Sequence, residues 1–246
     1  MKHARWQILL GSSLVALSAL FYSLHYVIFK DAHHIFIYLL GDIAFVPIEV
    51  LLVTMIIHKL LEEKEKKAKL EKLNMVIETF FSEAGTKILA YFSDFDPKLN
   101  NIRNELIVTG NWTDNDFTNL KKRLKGYNYT VDIRKINLEE LRNYLTDHRG
   151  LFLRLLENPV MLEHEAFTEL LRAMFHLTEE LANRDDTTTL PDTDYEHLGG
   201  DIKRVYGLLV KEWLEYMRYL KNNYPYLFSL AMRTNPFDRT ASPIIR

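Results

Sequence analysis

The sequence predicts an all-α protein built as a two-span transmembrane helical hairpin, a continuous helical neck and a cytoplasmic helical-bundle domain. Three observations predict it. Two apolar stretches, 7–29 and 35–58, are each long enough to cross a bilayer, which takes about 20 residues. The stretch that follows, through residue 93, contains no Pro and a single Gly, Gly85. Beyond it, apolar residues recur at helical spacing between cap and turn signals. The averages over 246 residues, 48% hydrophobic with a mean hydropathy of −0.14 and a net charge of −2, conceal this division. Residues up to about Leu61 are lipid-like, and the remainder is polar and helix-forming.

The N-terminus MKHARW is short and basic. The apolar run from Gln7 to Phe29 exceeds a signal-peptide core and lacks a small-residue cleavage site, so it reads as the first span. Ser12, Ala16, Ala19 and Ser23 form a small-residue stripe on it, which lets a neighbouring helix approach closely. Lys30 to His34 allows only a tight turn, so the spans form an antiparallel hairpin. The turn carries Lys30 alone, whereas Lys2, Arg5, Lys59, Lys64, Lys66, Lys67 and Lys69 lie on the other side. The positive-inside bias therefore makes this a multi-pass protein of the cell membrane with both termini cytoplasmic. Trp6 and Tyr38 suit the two interfaces.

The second span holds Asp42, Pro47 and Glu49. An acid near the bilayer centre costs about 2.5–3.5 kcal/mol or more, so two require a reason. Seven residues return a helix to within about 20° of its starting azimuth, which puts Asp42 and Glu49 on one face, flanked by Tyr38 and Phe45. Counted from Ile35, Asp42 is about 10 Å deep and Glu49 about 21 Å. Pro47 cannot donate to the Ile43 carbonyl and frees it. Asp42, Glu49, Tyr38 and Pro47 are thus candidates for an ion path. Folding the hairpin about residues 32–34 sets His25 level with Asp42 and Ser18 level with Glu49. The acids are equally explained by pairing inside the membrane bundle.

The neck, 62–93, has mixed charges followed by Leu70, Leu73, Ile77, Phe80 and Ala84 at 3-4-3-4 spacing, a short coiled-coil seam that adds to an oligomer held by its spans. Asp94-Phe-Asp-Pro97 ends it. In the domain, 94–246, residues 101–108 read as a short helical piece. Thr113 and Asp116 form a capping box that starts a helix to about residue 125. Residues 126–136 have strand-like residues without a partner and read as an extended loop. Asn137, with Glu140 three residues on, caps a helix to Glu157. Asn158-Pro159 restarts one to about Asn183. RDDTTTLPDT is a surface loop, a long helix covers about 194–222, a short one follows Tyr224, and the tail is extended.

Several functions are excluded by what is missing. There is no Cys, hence no disulfide and no thiol chemistry. Beyond Lys69 there are 23 Lys and Arg against 27 Asp and Glu, a net of −4 that disfavours nucleic acid. No Gly-rich phosphate loop, GxSxG or HExxH occurs, and neither an enzyme nor a cofactor is expected. Glu163, His164, Glu165, Glu169, His176, Glu179 and Glu180 fall on one predicted helix. His164 and His176, 12 residues or about 18 Å apart, cannot share an ion there. The cluster reads as a solvated acidic face, with no metal expected. The aromatic run Trp213, Tyr216, Tyr219, Tyr224, Tyr226 and Phe228 reads as core. Arg233, Arg239 and Arg246 are available to anionic head groups or to a partner subunit.

NYPYLFSLAMRTNPF, with ENPVMLEHEAFTELLRAMFHLTEEL before it, resembles uncharacterised prokaryotic membrane proteins in which a helical cytoplasmic domain follows a short membrane segment. The resemblance implies a channel-associated or regulatory role and brings no catalytic residues. The leading expectation is a homo-oligomer in the lipid bilayer, its cation-conducting pore lined by the second span with Glu49 as the central acid. The alternative is a membrane-anchored scaffold or signalling protein whose cytoplasmic domain binds a protein partner.

The topology is testable in the Cys-free background. Cysteines placed at Ala32 and Ser242 should label oppositely with an impermeant thiol reagent on intact cells, Ala32→Cys from outside and Ser242→Cys only after permeabilisation. Outside labelling of Ser242→Cys would reverse the orientation.

Overall fold

The computed structural model describes residues 2–245, and the side chains of all of these except 2–5, 162 and 163. The charges named above at Lys2, Arg5, Glu163 and Arg246 lie outside that description. Among the described residues every regular element is helical and no strand forms. The chain divides into two compact units, 1–66 and 67–246.

The first unit is a helical hairpin of α1 (Lys2–Phe29) and the first part of α2 (Ala32–Phe80). Lys30 adopts the left-handed conformation, φ 54°, and its N–H donates to the Tyr26 carbonyl at 2.9 Å, closing α1. Asp31 then caps α2: its Oδ1 accepts the His34 N–H at 3.1 Å, and that amide holds the carboxyl below its usual range. α2 passes through Pro47 without interruption. Two stretches are long and apolar enough to cross a membrane, Trp6–Phe29 at a mean hydropathy of 1.7 and one at 2.2 in the helix from Ala32, and neither has buried residues. Of residues 6–66 only His25, Ile35 and Leu39 are half-buried and the rest are exposed, so the two helices cover little of each other.

The second unit begins within α2. Leu73, Ile77 and Phe80 are buried in its core, followed by Ala84 in a π-helical turn, Phe81–Gly85, and then by α3 (Thr86–Asp94). This revises the sequence reading in two ways. The compact unit starts at Lys67 rather than at residue 94, so the neck after Lys66 is the domain's own first helix. The 3-4-3-4 seam is consumed by the same chain, with only Leu70 left 47% exposed. The spacing marks an apolar helix face and cannot distinguish a partner chain from a core.

The π turn lets consecutive Phe80 and Phe81 both bury, at 0% and 1% exposure. Phe80 meets Phe81 and Phe167 edge-on at 5.2 and 5.3 Å, and Phe81 stacks on Tyr216 at 5.0 Å. Gly85 allows this packing, because a Cβ there would lie 2.5 Å from Phe80 Cε1 and 2.9 Å from Phe81 Cδ1.

The remaining elements surround one helix. Short 3-10 turns fill 99–106, and α4 (Asp114–Lys125) starts at the Thr113–Asp116 capping box. Residues 126–136 carry no regular structure beyond one 3-10 turn. Asn137 caps α5 (Leu138–Asp147) by accepting the Glu140 N–H at 3.1 Å. The helix expected to reach Glu157 breaks at His148 into α5 and α6 (Arg149–Leu156). After a 3-10 turn at Pro159–Glu163, α7 (Glu165–Ala182) leads through a loop to α8 (Asp192–Asn223) and α9 (Pro225–Arg233). α8 buries residues on most of its circumference, Ile202, Tyr206, Leu209, Trp213 and Met217 among them, and packs against α3, α4, α7 and α9. Of the predicted aromatic core, Trp213, Tyr216 and Phe228 are buried while Tyr226 is 70% exposed.

The tail is tied down more firmly than its composition suggests. Phe237 is fully buried edge-on to Trp213 at 5.0 Å. Asn235 Nδ2 donates to the Leu106 carbonyl at 2.9 Å, Ser93 Oγ to that of Pro236 at 3.2 Å, and Arg103 Nη1 to that of Phe237 at 2.9 Å.

Two outcomes follow for stability. Ala is the better helix former by about 1 kcal/mol, yet Gly85→Ala should lower the unfolding free energy by about 1–2 kcal/mol, because overpacking an immobile aromatic cluster costs more. Urea unfolding of the full-length protein in detergent, followed by circular dichroism, measures it. Glu212, 3% exposed on α8, has its carboxyl pushed up to about 7 by burial. Between the unfolded value of 4.5 and about 7 the folded state binds the extra proton, so this group's contribution falls as pH rises through that window. Glu212→Gln should flatten the fall and be the more stable form at pH 8, by on the order of 1–3 kcal/mol. Equal slopes of stability against pH in the two proteins would refute this.

Candidate functional site

The hairpin's polar residues gather near its turn. Ser18, Tyr22 and His25 of α1 and His34, Tyr38 and Asp42 of α2 line a cavity of about 690 Å³. The imidazoles of His25 and His34 stand 5.9 Å apart, and His34 meets the Tyr38 ring at 4.6 Å. His25 Nδ1 is buried and without a hydrogen bond.

This arrangement corrects the depth matching drawn from the sequence. The turn lies at Lys30–Asp31 rather than at 32–34, which shifts every cross-helix partner along the hairpin. His25 faces His34, and Ser18 shares the cavity with Asp42 rather than standing level with Glu49. His25 and Asp42 border one cavity but form no ion pair there. Glu49 lies outside it, exposed, and pairs with no described side chain of the hairpin. Pro47 and Tyr38 are exposed too.

The acidic helix divides differently from the prediction. Glu163 falls in the preceding 3-10 turn, and His164 is the cap of α7, its Nδ1 accepting the Phe167 N–H at 3.0 Å. Partial burial lowers the His164 pKa, which favours the neutral acceptor form. Glu179 is taken by Arg149 Nε at 2.6 Å.

His176 and Glu180, one turn apart on α7, meet His197 and Asp201, one turn apart on α8. His176 Nε2 lies 3.8 Å from Glu180 Oε1 and 3.4 Å from Asp201 Oδ2. His197 Nε2 lies 3.5 Å from Glu180 Oε2 and 3.6 Å from Asp201 Oδ2. Donor atoms of His176, Glu180 and His197 all fall within 4.8 Å of one another. The imidazoles are about half exposed, at 47% and 51%, whereas the Asp201 side chain is 8% exposed.

Arginines surround the two acids. Arg184 Nη1 donates to Glu180 Oε2 at 2.9 Å, and the same guanidinium forks onto Asp194 at 2.8 and 2.7 Å. It holds both carboxyls below, and is itself held above, their usual ranges. Arg204 Nη1 is 4.0 Å from Asp201 Oδ1. The sequence reading placed His176 and Glu180 on one helix and weighed them only against the other residues of that helix. The matching signal is His197-x-x-x-Asp201, the same i, i+4 pattern read at the start of the next helix.

Comparison with known proteins identifies both units. Residues 1–61 match a family described as "MJ1433, N-terminal helical domain", and residues 69–233 match "Uncharacterized protein MJ1433, C-terminal helical domain". A relative from Methanocaldococcus jannaschii, "Uncharacterized protein MJ1433", is 48% identical over 238 residues, 97% of this chain and 96% of its own length. No solved structure matches. The chain therefore belongs to the MJ1433 family, with the hairpin in its N-terminal helical domain and the four-residue cluster of α7 and α8 in its C-terminal one.

Proposed function

We propose that this is an integral membrane protein whose N-terminal hairpin anchors the helical domain at the cytoplasmic face of the bilayer, where the domain acts as a scaffold or signalling module. The observation that carries this reading is the hairpin's exposure: two apolar stretches of spanning length have none of their residues buried. In water that surface is unstable, since monomeric soluble proteins rarely expose apolar patches beyond a few hundred Å². Lipid is the environment that suits it. The domain, by contrast, has its own core and its own polar sites.

One observation favours a second reading, in which the protein conducts cations. Glu49 is exposed on α2 about 21 Å along from Ile35, and the hairpin gives it no partner. A carboxylate at that depth is not left facing lipid, so copies of α2 would have to bring their Glu49 side chains to a shared interior. Rings of acids select cations. Asp42 would not be needed in that ring, since it borders the hairpin's own cavity.

One preparation tests both. Full-length protein reconstituted in liposomes should stay with the vesicles through an alkaline carbonate wash, and release by the wash would remove the membrane reading altogether. Anchoring alone predicts retention without ion flux. Conduction predicts cation flux that Glu49→Gln abolishes or makes non-selective, with the oligomer intact by crosslinking.

A further inference from the structure

The geometry points to a divalent transition-metal site, of the kind zinc occupies, formed by His176 and Glu180 of α7 with His197 and Asp201 of α8. It goes beyond the membrane reading and stands whether or not the hairpin sits in a bilayer.

The first argument is metric. Zinc binds imidazole nitrogen and carboxylate oxygen at about 2.0–2.2 Å, so the edge of its coordination tetrahedron is about 3.4 Å. Donor atoms of His176, Glu180 and His197 lie within 4.8 Å of one another, the two imidazoles meeting different oxygens of Glu180 at 3.8 and 3.5 Å, and Asp201 Oδ2 stands 3.4 and 3.6 Å from the same two nitrogens. Each helix supplies its pair at i, i+4, the spacing that places two side chains over one spot on a helix surface.

The second argument is independent of distance. Asp201 Oδ2 is buried and has no hydrogen bond, although two imidazole nitrogens stand within 3.6 Å. Neither imidazole makes a hydrogen bond to it. A buried carboxylate oxygen left this way is costly in desolvation, unless a cation takes the place of the missing donor. The oxygen is within 3.6 Å of both imidazole nitrogens, close enough to share one ion with them.

The surroundings agree. The other Asp201 oxygen turns to Arg204, and Arg184 fixes Glu180 from behind while binding Asp194, so each acid is oriented by a neighbour. Asp201 closes the inner side and the half-exposed imidazoles leave an entry from solvent. Two imidazoles with two carboxylates suit zinc and its neighbours, whereas magnesium and calcium take oxygen ligands. Such an ion would clasp α7 to α8 across the loop at 183–191.

The test uses full-length protein in detergent, stripped with chelator and dialysed against Co²⁺ or Zn²⁺ alone. One equivalent of Co²⁺ should give the intense visible absorption of a tetrahedral site, one equivalent of Zn²⁺ should bleach it, and Zn²⁺ should raise the melting temperature. His176→Ala combined with His197→Ala should abolish all three with the helical circular dichroism unchanged. Should the double variant fold poorly, each single variant should still weaken binding at least about tenfold. Absence of cobalt bands, binding that survives loss of both histidines, or displacement by millimolar Mg²⁺ overturns the assignment. In the first case the imidazoles serve as polar neighbours of the two acids and nothing more.

Discussion

The seam between α7 and α8 is the contact on which the rest of the helical domain depends. Leu170, Met174 and Leu177 on one side and Leu198, Ile202 and Leu209 on the other are buried to the last few per cent of their surface. Full burial of such a side chain contributes about 1.5–3 kcal/mol, and the other helices add their own layers to this pair. At the loop end the seam turns polar. The partners there step down α7 as they step up α8, from Arg184 and Asp194, to Glu180 and His197, to His176 and Asp201. One antiparallel register thus serves both chemistries, since sliding the helices by a turn would uncover the leucines and separate the histidines together.

Local signals were legible in the sequence wherever a side chain acts on its own backbone. Asn137, Thr113 with Asp116, and Asn158 before Pro159 all cap the turns that follow them. The division between an apolar hairpin and a polar helical domain was equally plain, because it is written in composition. What depended on distant partners was not. The Leu73–Ile77–Phe80 face looked like an oligomer seam, and only the core of the same chain shows what covers it. The break at His148 leaves no Pro or Gly mark at its own position, and His148 stacks on Tyr144 at 4.3 Å instead of continuing one helix. Likewise His197 and Asp201 carry no meaning until α8 folds back on α7.

The hairpin shows how much a short turn decides. A left-handed Lys30 followed by the Asp31 cap completes the reversal in two residues. Moving the reversal point by about three residues moves the opposing helix by about six, between one and a half and two turns. That accounts for Ser18 appearing beside Asp42 rather than Glu49. A turn placed from sequence to within a few residues is accurate enough to give a hairpin, but it is too coarse for pairing side chains across it.

The binding of residues 235–237 into the core has a consequence in time. Trp213 is covered by Phe237, and the carbonyls of Leu106, Pro236 and Phe237 find their donors only when that segment is in place. During synthesis the hairpin is made first, while most of the domain is still unmade. Every helix of the domain then precedes its last core residue out of the ribosome. α8 therefore keeps part of its apolar surface uncovered until residue 237 has been made, and the last step in closing the core belongs to a segment that follows the last helix.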